Sequence, residues 1–225
     1  MLRMIKSFFR NKNLNKNKNL KDKFSKIYFQ NIFGGKDSRS GGGSNMEQTL
    51  EIRNKLPKLI KEFGIKSFID APCGDFFWMR ETKLGVKRYI GIDIVESLIQ
   101  SNQYKFGDSV NSFVCMNLID ENVPKADLVF CRDCLVHLTY EDIQKVILNF
   151  KISGAKYILT TTFSDRDANV DLIGNDIWRP LNLERSPFNF PTPLKIINEK
   201  CTEGSNQFTD KSLGLWRLAD IKTSW

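Results

Sequence analysis

The chain has 225 residues, a formal net charge of +8 at neutral pH and 41% hydrophobic residues. These values are typical of one globular domain and exclude a collagen-like or wholly disordered chain. The charge is uneven: residues 1–30 hold nine Lys or Arg and one acid, and the remainder holds 25 basic and 25 acidic residues. Because that remainder is neutral, nucleic acid is not the expected partner.

Residues 1–30 alternate Asn and Lys over 11–18, which predicts a basic, disordered N-terminal arm. A contact between this arm and an anionic membrane surface or a protein partner is the alternative interpretation. No run of the sequence has the length and continuous apolar character of a membrane span or a signal peptide. The five cysteines are odd in number and lack the spacing of a disulfide framework, so a cytoplasmic location, possible also at the membrane periphery, is predicted.

Residues 31–45 form a Gly/Ser-rich segment, and residues 46–225 form the predicted domain. The domain opens on a helical pattern over 47–63, which Pro57 interrupts. Strand-like and helix-like segments then alternate, as strands 67–70, 88–93, 112–116, 126–131 and 156–162 and helices 75–82, 95–104 and 139–152. Such alternation predicts an α/β fold with a parallel sheet and helices on both faces.

The last part of the chain has a different pattern. Residues 164–193 are rich in Asp, Asn, Pro and aromatic residues and show no period. Two strand-like runs follow, 194–199 and 212–221, close enough in sequence to pair antiparallel. A loop as long as 164–193 is more often functional than accidental, so it is the predicted acceptor side of a site.

Two consecutive strands end on an acid, Asp70 and Asp93, and the turn after the first is built from small residues. In open α/β sheets, ligands bind beyond the carboxyl ends of the strands, where the second acid can accept both hydroxyls of a ribose. A dinucleotide site needs backbone amides near a pyrophosphate, yet Pro72 has no amide and Asp75 would repel phosphate. The pattern therefore favours S-adenosylmethionine over NAD.

At these residues the chain resembles the class I S-adenosylmethionine-dependent methyltransferases. The resemblance covers about residues 45–225 and implies a Rossmann-like, seven-stranded, mostly parallel sheet with a C-terminal antiparallel pair. The segments 70–75, 131–138 and 178–183 are similar to those of small bacterial and viral methyltransferases. That subgroup includes a domain similar to the sugar-methylating part of a chlorovirus glycan-building protein, which implies a glycan-modifying enzyme.

The resemblance also implies the cofactor-binding residues. The loop from Asp70 would pass beneath the methionine part of the cofactor, and Asp93 would bind the ribose. Asn117 lies where an Asp usually contacts the adenine amino group. Arg132 would fix the cofactor or an anionic substrate group, or pair with Asp133, and Arg53 is expected either to reach the cofactor carboxylate or to be a surface charge. The full cofactor-binding prediction is Asp70, Ala71, Pro72, Cys73, Gly74, Asp93, Ile94, Asn117, Leu118, Arg132 and Arg53.

Methyl transfer to a neutral hydroxyl needs a base for its proton. His137, the only histidine, follows the fourth strand at the ligand-binding edge and is the predicted base, with helix packing as the alternative. Asp133 is the second predicted catalytic residue, as the orienting partner of His137 or as a base. The alternatives are a metal ligand together with acids from 165–176, and a cap of the following helix. Cys131 and Cys134 together with His137 make only part of a zinc motif, so no metal is predicted.

Within 164–193, Trp178 could stack on a sugar face, while Asn169 and Arg179 could bind hydroxyls; the same residues could instead only pack or be solvated. We predict a methyltransferase that acts on a sugar hydroxyl of a surface glycan or its precursor. The alternatives are a small-molecule N- or O-methyltransferase of other metabolism and a non-catalytic S-adenosylmethionine-binding module. Fold analogy by itself supplies no substrate.

Overall fold

Seven strands form one sheet at the centre of the computed structural model, which describes residues 20–223. The strands are β1 (Ser67–Asp70), β2 (Arg88–Asp93), β3 (Asn111–Cys115), β4 (Leu128–Cys131), β5 (Tyr157–Phe163), β6 (Lys195–Asn198) and β7 (Lys211–Arg217). Their order is β3-β2-β1-β4-β5-β7-β6, with parallel pairing from β3 to β5 and antiparallel pairing of β7 with both β5 and β6. The predicted fold class is confirmed.

The main helices in the described part of the chain are α1 (20–29), α2 (Leu50–Glu62), α3 (Glu96–Phe106) and α4 (Tyr140–Ile152). Short helical turns also occur at Gly42–Ser44, Met79–Glu81, Leu135–His137, Glu203–Asn206 and Leu218–Asp220. The helix α2 continues through Pro57, which lies in its interior, and ends before Gly64. The Thr139 side chain accepts a hydrogen bond from the Asp142 backbone and so caps α4.

Two apolar layers cover the two faces of the sheet. One layer combines α2 and α3 with the aromatic side chains of the central strands, including Phe68 and Phe130. The other combines α4 with residues from the loop after β5, including Phe188. Because both faces are covered, the inner strands are buried along nearly their whole length rather than at alternate residues, as is usual for parallel sheets.

The helix predicted at 75–82 is absent, and this segment contains only the turn Met79–Glu81. Phe76 adopts a positive φ of 58°, which no α-helix accommodates. Its ring is buried among the aromatic side chains of β2 and β3, so packing holds the loop in this conformation. The loop after β1 therefore does not enter a helix at Asp75, and that carboxylate is left for other contacts.

Part of the predicted disordered arm is helical. Residues 20–29 form α1, which belongs to the folded structure, while the arm residues 1–19 lie outside the described residues. Ile27 of α1 is buried, and the ammonium of Lys21 forms an ion pair of 2.7 Å with Glu96 at the start of α3. The Gly/Ser-rich segment that follows also packs against the domain rather than extending as a free linker, since Ser38 is buried.

Candidate functional site

A cavity of about 550 Å³ lies beyond the carboxyl ends of the central strands. Its lining comes from the turns after β1, β2, β3 and β4, from the end of β5, from the segment before β7, and from the N-terminal segment 20–44. The carboxyl ends of parallel strands lie at one edge of the sheet, so the motifs that follow separate strands in the sequence meet there. Most of the predicted site residues therefore line this one cavity.

The loop after β1 forms the floor of one end of the cavity. Its lining residues are Asp70, Pro72, Cys73, Gly74 and Asp75, whereas Ala71 is fully buried behind them. Burial raises the pKa of Asp70 to about 7, although the hydroxyl of Tyr89 donates a hydrogen bond of 2.6 Å to its carboxylate. A cation in the cavity would favour the ionised form of this group.

Asp93 lies beside this loop at the end of β2. Its two carboxylate oxygens accept hydrogen bonds from the backbone amides of Gly74, at 3.2 Å, and Val95, at 3.0 Å. Burial raises the pKa of Asp93 more than these amides lower it. The two amides hold the carboxylate in one orientation at the cavity wall, and each oxygen retains acceptor capacity for a hydroxyl group.

The turn after β3 brings Asn117 and Leu118 to the cavity, beside Ile94 from the turn after β2. The Asn117 side chain also holds its own turn, because its oxygen accepts from the Ile119 amide at 3.1 Å and its nitrogen donates to Asp120 at 3.0 Å. The apolar side chains here make this end of the cavity suitable for a flat, apolar ring.

A buried network of charges follows β4. Arg132 donates to both carboxylate oxygens of Glu199, at 3.2 and 2.8 Å, and Lys211 donates to Asp133 at 2.7 Å. Although burial by itself raises the pKa of Asp133, Lys211 and Arg132 hold it well below its usual range. Asp133 is therefore a carboxylate and a weak base. Glu203 completes the network at the cavity wall, 3.9 Å from Lys211.

One oxygen of Asp133, Oδ1, is buried and has no hydrogen-bond partner among the residues that the structure describes. Asp133 lines the cavity and has a positive φ of 51°, and its amide donates to the Thr161 hydroxyl at 2.8 Å. A buried acceptor without a partner is costly unless a ligand or water supplies a donor. This free acceptor at the cavity wall therefore suits a ligand that donates from hydroxyl or ammonium groups.

His137 lies half-buried at the cavity wall, in the same turn after β4 that carries Asp133. Its Nδ1 contacts the backbone oxygen of Ile177, which can only accept, so Nδ1 carries the proton and Nε2 has the free lone pair of a base. Burial lowers the pKa of His137 below its ordinary value, which keeps the ring neutral near pH 7. Phe33 stacks on this ring, with centroids 5.2 Å apart, and Phe24 meets it edge-on at 6.1 Å.

Three of the predicted site residues, Arg53, Asn169 and Arg179, do not line the cavity. Arg53 lies outside the cavity lining; it donates to the Met46 backbone oxygen at 2.7 Å, close to the start of its own helix. Asn169 uses its amide to hold the loop after β5, donating to the backbone oxygen of Asn182 at 2.8 Å. Arg179 is buried and donates to the Leu135 backbone oxygen at 2.9 Å. Each of these side chains supports a loop, and neither Asn169 nor Arg179 lines the cavity.

Trp178 does line the cavity, where it meets Phe163 and Phe208 edge-on. The five cysteines are all free thiols, and no group of three or more His, Cys, Asp or Glu within 20–223 is arranged to hold a metal ion. Within the same residues, no helix has the length and apolar character needed to cross a membrane.

Sequence reasoning missed Glu199, Lys211 and Glu203, and also the cavity-lining residues of α1. A signal for the first two exists: Glu199 ends the first of the two strands predicted to pair antiparallel, and Lys211 immediately precedes the second. The pairing sets the two residues opposite each other, with the Glu199 amide donating to the Lys211 backbone oxygen at 3.0 Å. For α1 we find no such signal, because its contacts join segments far apart in the sequence.

No protein-family model matches the chain. No curated protein matches its sequence either. Solved structures do match. A S-adenosylmethionine-dependent methyltransferase from Clostridium acetobutylicum ATCC 824 matches 86% of this chain and 97% of its own, at 13% identity and a TM-score of 0.54.

The N-methyltransferase NodS from Bradyrhizobium japonicum WM9 matches 78% of this chain and 98% of its own, at 16% identity and a TM-score of 0.54. The methyltransferase domain of bacterial CtHen1 matches 51% of this chain and 66% of its own, at 14% identity and a TM-score of 0.45. Together with the strand order and the cavity at the strand ends, the two longer matches show that the chain has the Rossmann-like fold of the class I S-adenosylmethionine-dependent methyltransferases.

Proposed function

We propose that the protein binds S-adenosylmethionine and transfers its methyl group to a hydroxyl of a sugar, in a surface glycan or its precursor. The observation that carries the proposal is that one cavity is lined both by Asp93, a carboxylate fixed by two backbone amides, and by His137, a neutral imidazole with a free Nε2. The acids Asp70 and Asp133 between them suit a cationic ligand.

When bound, S-adenosylmethionine supplies an electrophilic methyl group on a cationic sulfur. The residues of the chain bind and orient the cofactor and the acceptor, and His137 takes up the acceptor's proton. Asp93 would accept hydrogen bonds from the ribose hydroxyls, and Asp70 with the loop to Gly74 would hold the methionine part. The apolar turn residues Ile94 and Leu118 would bind the adenine.

For the acceptor, His137 takes the hydroxyl proton at Nε2, and the free Oδ1 of Asp133 accepts a hydrogen bond from a second hydroxyl. The low pKa of Asp133 argues against its use as the base, so its role is orientation. Trp178 supplies an aromatic surface for the apolar face of a sugar ring. A charge network whose members pair with one another, together with the aromatic ring of Trp178, favours a neutral, amphipathic acceptor.

A small-molecule amine is the second candidate acceptor, because the carboxylates of Asp133 and Glu203 at the cavity wall could bind an ammonium group. Methylation of this acceptor requires the ammonium group to lose a proton first. The neutral amine is then nucleophilic, so the transfer step itself depends on a base less than methylation of a hydroxyl does. A non-catalytic binding module is the candidate from another class; it would bind the cofactor without turnover. A location in the cytoplasm, with the basic arm at a membrane surface, belongs to the same proposal.

The first experiment is calorimetric titration with S-adenosylmethionine, S-adenosylhomocysteine and NAD, for the wild-type protein and Asp93→Ala. The matched control is Asp108→Ala, because Asp108 also accepts two backbone amides, at 2.7 Å each, outside the cavity. We expect binding of both sulfur nucleosides but not NAD, and loss of binding only in Asp93→Ala. Absence of binding to folded wild-type protein would refute the cofactor.

Acceptors are then tested by methyl transfer to neutral sugars and to amines, with wild-type protein and His137→Gln. Loss of a positioned base typically slows a reaction by about 10²–10⁴-fold. We expect sugar methylation that His137→Gln reduces by about 100-fold while S-adenosylhomocysteine affinity changes little. Transfer to amines alone would favour the second candidate, and cofactor binding without any transfer would favour the binding module.

A further inference from the structure

The carboxylate of Asp75, in the loop after β1, contacts the N-terminal segment. It accepts hydrogen bonds from the Ser38 hydroxyl at 2.9 Å and from the Arg39 amide at 3.0 Å. In return, the Asp75 amide donates to the Ser40 hydroxyl at 3.2 Å. These bonds join the cofactor-side loop to a segment more than 30 residues earlier in the chain.

The N-terminal segment, residues 20–44, forms one wall of the cavity. Its lining residues are Leu20, Phe24, Ile27, Tyr28, Phe33, Arg39, Ser40, Gly41, Gly42, Gly43 and Ser44. The cavity is therefore formed by two parts of the chain, the sheet edge and this segment. Neither part encloses it alone.

Three further contacts hold the segment in place. Arg132, in the charge network after β4, donates to the Gly43 backbone oxygen at 2.9 Å. In addition, Lys21 pairs with Glu96, and Phe33 stacks on His137. Most of these contacts are polar and at least partly exposed, so the segment is held less firmly than the strands of the core.

Tyr28 connects the segment with the cofactor end of the cavity. Burial raises the pKa of its hydroxyl, with further contributions from the nearby carboxylates of Asp75 and Asp93. Tyr28 therefore brings a hydroxyl donor to a cavity that Asp75 and Asp93 also line.

We propose that the N-terminal segment is part of the cofactor site, that Asp75 is the positioning residue that docks it, and that segment docking and cofactor binding are one linked equilibrium. The inference rests on the proposed cofactor. A ligand that contacts both walls binds the docked state more tightly, and linkage requires that it stabilise docking by the same factor. The apparent dissociation constant rises as the docked fraction falls.

The test compares wild-type protein with Asp75→Asn, and with Asp108→Asn as the matched control. Two quantities are measured on the full chain: the dissociation constant of S-adenosylhomocysteine, and hydrogen–deuterium exchange of residues 20–44 with and without it. We expect the ligand to slow exchange in this segment. We also expect Asp75→Asn to speed exchange without ligand and to raise the dissociation constant about tenfold, with no more than a twofold change in the control.

A second variant, Ser38→Ala with Ser40→Ala, removes the two hydroxyl partners of Asp75 and leaves its carboxylate intact, and it should weaken binding in the same direction. If S-adenosylhomocysteine binds but does not change the exchange of residues 20–44, and if the variants bind it as tightly as the wild-type protein, this inference is overturned while the proposed cofactor stands. Absence of ligand binding to the wild-type protein would overturn the proposed cofactor and this inference with it.

Discussion

The ammonium Nζ of Lys211 lies 2.7 Å from Oδ2 of Asp133, and both side chains belong to a network that also contains Arg132 and Glu199. Lys211 begins β7, and Asp133 follows β4, so the contact joins the antiparallel end of the sheet to the parallel part. Although burial by itself lowers the pKa of Lys211, Asp133 and Glu199 hold it above its ordinary value. The network therefore fixes the loop that carries one of the proposed acceptor-binding residues.

Replacement of Lys211 by Met is expected to destabilise the fold strongly. It leaves Asp133 and Glu199 with one cation in place of two, and breaking a buried pair on one side typically costs about 3–5 kcal/mol. Urea unfolding followed by circular dichroism measures the change. Lys156→Met is the control, because Lys156 pairs with Asp127 at the surface, where loss of a pair costs less than about 1 kcal/mol. Equal stability of the two variants would contradict the role of the network.

Asp70 is expected to make stability depend on pH. Its folded pKa of about 7 lies above the ordinary value of 3.8, so the folded state binds more protons than the unfolded state between these values. Its contribution is therefore complete below about pH 4 and is lost as the pH rises through the folded value of about 7.

Asp70→Asn removes this titration and keeps an acceptor for the Tyr89 hydroxyl. The stability of the variant relative to wild type should increase from pH 4 to pH 7, by no more than about 4 kcal/mol. Urea unfolding of both proteins at several pH values in this range measures the difference. A difference that is constant with pH would show that Asp70 is ionised throughout in the folded protein.

Phe33 is expected to tune the pH dependence of turnover through His137. Its ring covers one face of the imidazole and contributes to the burial that lowers the His137 pKa. Phe33→Leu admits water, so the pKa should rise toward 6.5 and the acid limb of the kcat profile should move to higher pH. Phe29→Leu is the control, because Phe29 is exposed in the same segment. An identical limb in both variants would exclude this role.

Replacement of Gly74 is expected to destabilise the protein, because the side chain of Ser40 lies close to it. An added Cβ would lie 2.2 Å from the Ser40 hydroxyl oxygen, and the residue has a positive φ of 52°. Gly85 has a φ of 72° and open space around its Cβ position, so Gly85→Ala carries only the backbone strain, about 1 kcal/mol.

Gly74→Ala should destabilise the protein more than Gly85→Ala and should weaken S-adenosylhomocysteine binding, because Ser40 must move away from the loop. Thermal unfolding and calorimetry on both variants separate the two effects. Equal effects of the two substitutions would mean that the approach of Ser40 to the loop does not matter.

The order of the elements in the main domain followed from the sequence with small errors at the ends. The strands 67–70 and 88–93 were predicted at the observed bounds, because short apolar runs that end on an acid are strong local signals. The helix at 75–82 was predicted wrongly. Its pattern is compatible with a helix, but burial of Phe76 among aromatic rings overrides local propensity.

By itself, the sequence determined the α/β fold class, the cavity at the strand ends, and the positions of Asp93 and His137 on it, because each is a local pattern placed by the regular geometry of a parallel sheet. Only the tertiary structure decided which long-range partners meet. In the tertiary structure, Asp75 contacts the N-terminal segment, Arg53 lies outside the cavity lining, and Lys211 pairs with Asp133. Contacts between segments far apart in the chain depend on packing and charge pairing in three dimensions, and no spacing along the sequence encodes them.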